Sequence, residues 1–421
     1  MRRAGPLSSA PSSSFLPWLI VGFGFLALAL AFSARATLGL VMPIWSQELG
    51  WSRSFISGAA AAALLVMAMV APFAGRLVDR HGVRLTLSCG LLLVGTGCLI
   101  VSATSNAWLF LVAFSGVSAV GFGIVAAHVV STAIARHFEA NRGLATGIAT
   151  SGSTGGQFLI VPLVAMVLTT FSWRWSFFAI GIACLVLVPL LWWTLAARHD
   201  PQATPAARAG RSSFGEDLSE IVRKPAFHVL FWSFLLCGYT TAGVIETHFL
   251  PYAAFCGFGP VPSAAAYGLL SAVNLAGMIG AGWLTDRMNR VVLLGSIYLV
   301  RGLTFLILLQ VGASYEMLVV FVVLFGAADY ATVPVTASLV ASHIGLRVMG
   351  LAMGLISAGH ALGAAAGAFS GGYIFDLTQR YDWVWLSSLA LAVGAGLMVF
   401  LLRDQTKLVV EGAALVALHR G

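Results

Sequence analysis

The sequence predicts an all-α polytopic membrane protein: twelve transmembrane helices in two pseudo-symmetric six-helix bundles. Three observations carry that prediction. The 421 residues are 59% hydrophobic and only 9% charged, with a mean hydropathy of +0.94, whereas soluble domains carry about 25% charged residues. The chain divides into twelve apolar runs, most of them near the ~20 residues that cross a bilayer. Its halves also repeat. "GRLVDR" at 75–80 returns as "GWLTDR" at 282–287 and "GLATGIATSG" at 143–152 as "GLAMGLISAG" at 350–359, both displaced by 207 positions, while Met42-Pro43 returns as Leu250-Pro251 displaced by 208.

The first span, 16–42, follows a short tail, 1–15, and contains one full charge, Arg35, with no other between Arg3 and Glu48. A bare charge at the centre of a span costs at least about 2.5 kcal/mol and usually faces protein or a water-filled cavity, so Arg35 is a site candidate by position alone. Arg2, Arg3 and "FSARA" also fit a secretory signal. The apolar run from Phe15 to Ala31 exceeds a usual signal core, and further membrane segments follow it, so it is read as a span. Spans two to six follow at 55–74, 85–103, 107–133, 143–168 and 175–197. The hydrophilic connection "ARHDPQATPAARAGRSSFGEDLSEIVRK" at 197–224 then separates two bundles, 16–197 and 225–402, with 198–224 as linker and 403–421 as C-terminal tail. The second bundle holds runs at 226–250, 264–284, 291–312, 317–341, 349–375 and 383–402.

Numbered from a cytoplasmic N-terminus, 18 of the 23 Lys and Arg fall on the inside, three (Arg53, Arg174, Arg380) fall outside, and Arg35 and Arg301 lie within spans. The positive-inside rule therefore places both termini in the cytoplasm of a multi-pass protein of the cytoplasmic (inner) membrane. The net charge of +8 is thus a topology signal rather than a nucleic-acid footprint. The five cysteines form no CxxC pair, so they are expected to be small apolar fillers, with neither a disulfide framework nor a metal cluster. No metal, prosthetic group or other cofactor is implied. No HExxH, GxSxG or Cys-His framework points to an enzyme.

Gly75, Asp79, Arg80, Gly82 and Arg84 in "GRLVDRHGVR" resemble the loop signature after the second helix of the major facilitator superfamily, and "GWLTDRMNR", with Asp286 and Arg287, is similar to its usual partner after the eighth. "LGWSRSFIS", "GVIETHFLPYA", "ATVPVTASLV" and "GHALGAAAGAFSGGYIFDLTQRYDWVW" resemble the branch that includes monocarboxylate transporters and oxalate/formate exchangers. The resemblance covers the chain beyond its first fifteen residues. It implies the duplicated transporter architecture, with a substrate site near the bilayer midplane between the halves, and a latch of these loops that closes the cytoplasmic side. The physical reading agrees: the glycines permit close backbone approach, and Asp79 suits a neighbouring helix N-terminus. The alternative is that Arg76, Arg80 and Arg84 only determine topology. Two departures from relatives matter. "SGSTGG" in span five lacks the Gly-Pro pair of drug/proton antiporters. Span eight lacks the basic residue expected to hold a substrate carboxylate, its clearest polar group being Asn274.

Arg301 in span nine and Asp329 in span ten lie 13 and 15 residues from Ser314 on adjacent antiparallel helices, so they can meet. They read as an ion pair locking two helices, or as a proton site, Asp329, beside Arg301. Under the 208 offset Glu246 in span seven corresponds to Leu38, three residues from Arg35 on one helical face. The two charges then form an extracellular gate, or Arg35 holds a substrate anion while Glu246 takes a coupling proton, or the pairing is structural. His360, near mid-depth of span eleven, belongs to a residue type whose ordinary range is near neutral pH and stands ahead of His128 as a cavity candidate, with Gln157 a further polar candidate. The expected function is secondary active transport of a small organic anion, a monocarboxylate by resemblance, through alternating access with proton symport by a monomer in the lipid bilayer. Export of amphipathic compounds, or solute sensing by a receptor that keeps the fold, are the alternatives.

Overall fold

The computed structural model describes residues 15–196 and 212–403. The expected N-terminal tail up to 14, the C-terminal tail from 404 and positions 197–211 of the connection lie outside the described residues. Secondary structure among the described residues is helical throughout. The first bundle contains α1 (Phe15–Glu48), then α2 and α3, which are the arms 53–81 and 83–103 of one helix, Arg53–Ala103. The two arms meet at Gly82, whose φ of 76° and ψ of 175° suit a residue without a β-carbon, so the chain reverses with almost no loop. For that reason eleven long apolar helices among the described residues account for twelve spans. The bundle continues with α4 (Ala107–His137), α5 (Arg142–Thr150 extended by Gly152–Thr170) and α6 (Trp173–Ala196).

A short linker helix, Phe214–Val222, lies inside the segment expected to be plain linker. The second bundle follows: α7 (Pro225–Phe255), α8 (Pro260–Thr285), α9 (Arg290–Leu308), α10 (Tyr315–Ala328 and Thr332–His343), α11 (Met349–Thr378) and α12 (Asp382–Val399). Asn106, Asn289 and Ser314 accept hydrogen bonds from the first-turn N–H groups of α4, α9 and α10, each cap contributing about 1 kcal/mol. Irregularities shape the interior: α4 carries a π-helical stretch at Val112–Ser118 and a break at 125–126. Tyr239–Ile245 in α7 is a π-helical turn, a feature that often marks functional sites, and α10 breaks at 329–331.

Each bundle has its own apolar interior, built around Trp45, Phe110 and Phe177 in the first and around Tyr298, Phe305 and Trp385 in the second. The outer surface is apolar as well: Leu65, Met69, Trp108, Trp193 and Phe369 are exposed, as expected of faces solvated by lipid tails. The bundles touch along α2 with α11 and along α5 with α8, whereas α1 and α7 do not pack on one another. The approach is backbone to backbone. A β-carbon at Gly75 would overlap the main-chain oxygen of Gly350, and one at Gly143 that of Gly282. The linker helix covers the same end. Its Ser213 and Glu216 form a reciprocal cap, its buried Asp217 pairs with Arg76 of the first bundle at 3.4 Å and Arg347 of the second at 2.8 Å, and Arg80 donates to the Ser212 carbonyl at 2.6 Å.

Candidate functional site

Between the bundles lies a cavity of about 260 Å³. The first bundle contributes Arg35 from α1, His128 from α4 and Gln157 from α5; the second contributes Glu246 from α7, Asn274 from α8, Asp329 and Tyr330 from α10 and His360 from α11. The four residues expected to bind substrate, Arg35, Asn274, Gln157 and His360, therefore share one space. Arg301 does not line it.

Arg35 is half-buried, with its guanidinium carbon 4.9 Å from the centre of the Phe32 ring. Among the described residues no salt bridge joins it to Glu246, so the expected gate pair is unmade in this conformation. The reason is architectural: α1 and α7 stand apart. Glu246 is exposed at the end of the π-helical turn and accepts a hydrogen bond from the Tyr330 hydroxyl at 2.6 Å. Arg35 is the one permanent cation among the described lining residues, which otherwise carry the two carboxylates of Glu246 and Asp329.

The break in α10 is held open by α8. Asn274, 2% exposed, donates from Nδ2 to Asp329 Oδ2 at 3.1 Å, and its Oδ1 accepts from the Tyr330 N–H at 3.2 Å. Its amide thus positions the two residues that face the cavity. Arg301 and Asp329 do come together, yet not as a carboxylate–guanidinium pair: Arg301 Nη1 donates to the main-chain oxygen of Asp329 at 3.4 Å and to Cys237 Sγ at 3.1 Å. Arg301 is 0% and Asp329 4% exposed, and Asp329 Oδ1 and the Arg301 Nε and Nη2 have no hydrogen-bond partner among the described residues. Cys237, expected to be apolar filler, is therefore a polar contact on the cavity wall; all five cysteines are free thiols.

At the closed end two carboxylates make mirrored contacts across the bundles. Asp79 accepts from the N–H groups of Gly350 and Leu351 at the start of α11, each at 2.9 Å, and also from the Arg136 guanidinium. Asp286 accepts from Gly143 and Leu144 at the start of α5, at 2.7 and 2.9 Å. Each thus meets the positive end of a helix dipole in the opposite bundle. Arg84 lies 3.7 Å over the Trp192 ring, and Arg287 lies 4.2 Å over that of Trp283. Sequence reasoning missed Tyr330, Cys237 and the Arg136–Asp79 contact. Tyr330 stands beside Asp329 in "ADYATVP", where a scan for formal charges passes over it, and in the sequence Arg136 is one of the 18 inside charges with nothing to single it out.

The model of the family described as Major Facilitator Superfamily matches residues 24–309 and 281–415. An uncharacterised MFS-type transporter, YcxA of Bacillus subtilis, is 24% identical over 88% of this chain and 91% of its own length. Monocarboxylate transporter 13 of Rattus norvegicus is 24% identical over 91% of the chain and 88% of its own length. The crystal structure of the human organic anion transporter MFSD10 (TETRAN) superposes with a TM-score of 0.73 at 16% identity, covering 92% of this chain and 99% of that one.

Proposed function

The chain belongs to the Major Facilitator Superfamily and is a multi-pass membrane transporter, and from that premise we propose that it moves a small monocarboxylate by alternating access with proton symport. The observation that carries the proposal is Arg35: a cavity-lining guanidinium that makes no salt bridge among the described residues. A guanidinium can hold a carboxylate through two parallel hydrogen bonds, which an ammonium cannot imitate. The likeness to monocarboxylate transporters supports the same solute class. Gln157 and His360 complete the polar lining around the solute, and Asn274 acts on it through α10.

In this reading Asp329 carries the coupling proton, since it lines the cavity and its buried Oδ1 has no hydrogen-bond donor among the described residues. Glu246 closes toward Arg35 when the open mouth narrows around a solute. With 18 of 23 Lys and Arg on the Asp79 side of the bilayer or in its tails and linker, that face is cytoplasmic in the inner membrane. The conformation is then outward-facing, with the Asp79 and Asp286 contacts as its latch. The path lies within one chain, so the transporter works as a monomer.

Binding to the purified protein tests the site. In a thermal-shift screen across carboxylates, sulfonates and neutral solutes, a ligand at 100 times its dissociation constant adds about 2.7 kcal/mol of stability. The expected pattern is stabilisation by carboxylates, weakened in Arg35→Lys and abolished in Arg35→Gln. Stabilisation by neutral solutes alone, or carboxylate binding that survives Arg35→Gln, rejects the assignment.

A further inference from the structure

We propose that the solute is dipolar, with a carboxylate held by Arg35 and a cationic nitrogen group, an ammonium or a guanidinium, held by Glu246 on the opposite wall. This inference rests on the reading of Arg35 as the carboxylate ligand and adds a second point of recognition.

The cavity is asymmetric in charge. Among its described lining residues the first bundle offers one full charge, the Arg35 cation, and the second offers two carboxyl groups, those of Glu246 and Asp329. The two walls face each other without direct pairing, since no salt bridge joins Arg35 to Glu246. Glu246 accepts a single protein hydrogen bond, from the Tyr330 hydroxyl to Oε1, so its other oxygen is left for a donor from the solute. Behind it, Asp329 is 4% exposed with Oδ1 unpartnered, a buried acceptor on the same wall.

A solute with a carboxylate and an alkyl tail answers only the first wall. Closure around it would set the tail against the Glu246 carboxylate and strip it of water with only the Tyr330 hydroxyl in return, which is unfavourable. A solute with a nitrogen cation at its far end pairs both walls at once and draws the bundles together through itself. Tyr267 and Tyr330 on that wall add aromatic side chains, which favour a cation over a bare alkyl group. Asp329, tied to Asn274 and deeper, keeps the proton, so the acidic pair is divided between solute and coupling ion.

The test uses the purified full-length protein and two matched series: ω-amino acids from two to six carbons, and the unsubstituted carboxylates of the same lengths, with the corresponding alkylamines as controls. Dissociation constants come from ligand-induced thermal stabilisation. We expect at least one ω-amino acid to bind tenfold or more tightly than both its carboxylate and its amine. In Glu246→Gln the ratio of amino acid to carboxylate affinity should fall to about one, and because that ratio is taken within a single preparation it is independent of the yield of folded variant. Carboxylates that bind as well as their amino counterparts in the wild type overturn the dipolar solute while leaving the anion reading intact. Amines that bind as well as the amino acids, insensitive to Arg35→Gln, overturn both. A wild-type preference that persists undiminished in Glu246→Gln overturns the role of Glu246, and no stabilisation by any member of the series overturns the proposal and the anion reading together.

Discussion

Arg301 and Asp329 show how two buried charges can be neighbours without forming a direct ion pair. The guanidinium reaches the Asp329 main chain and the Cys237 sulfur, while the carboxylate takes its one hydrogen bond from Asn274. Each charge still depends on the other for compensation, because leaving one such charge alone in a dry interior costs about 3–5 kcal/mol. Arg301→Gln and Asp329→Asn should therefore each lower the melting temperature, and the double variant should recover most of that loss. If Asp329 carries the proton, the recovered double variant should exchange solute yet fail to accumulate it against a pH gradient. Normal pH-driven accumulation by that variant rejects the proton role. The existence of these charges was legible in the sequence, since each interrupts an apolar run. Their partners were not, because Asn274, Tyr330 and Cys237 are uncharged and reach Asp329, Glu246 and Arg301 from positions 55, 84 and 64 residues away.

At the scale of helices, the closed end of the molecule is built from carboxylates on foreign helix termini and from glycines that let backbones touch. Asp79 is buried and bonded to two N–H groups and a guanidinium of neighbouring elements. Asp79→Asn replaces charge-assisted bonds with neutral ones, a loss of about 2 kcal/mol, which corresponds to roughly a thirty-fold shift away from this conformation. Spin labels placed on the two bundles at this face should report a longer separation in the variant, with slowed transport; an unchanged distance distribution with wild-type turnover contradicts the latch. Gly75→Val should move the distance in the same direction without altering any charge, since its side chain would collide with Gly350. Here the sequence was informative, because the repeated "DR" at 79–80 and 286–287 and the repeated "GLA" at 143–145 and 350–352 are the partners that meet. The linker helix was harder to foresee. Its nine residues are too few to stand out in a hydrophilic stretch, and its stability comes from Arg76, Arg347 and Phe73 in the two bundles.

The whole molecule is a pair of bundles that meet at one end and leave a charged cavity between them. The reversal at Gly82, the breaks in α4 and α10 and the π-helical turn in α7 interrupt the helices that carry the functional groups. In the proposed transport cycle, solute exchange runs through Arg35. Counterflow into liposomes containing the purified protein measures this most directly, because unlabelled solute inside drives labelled solute inward without requiring a coupling gradient. With a labelled ω-amino acid or monocarboxylate that stabilises the wild type, the wild type should show a transient overshoot of label, and Arg35→Gln, reconstituted at equal density, should show none. An overshoot of equal height in Arg35→Gln, or none in the wild type with a solute that demonstrably binds, would contradict the account.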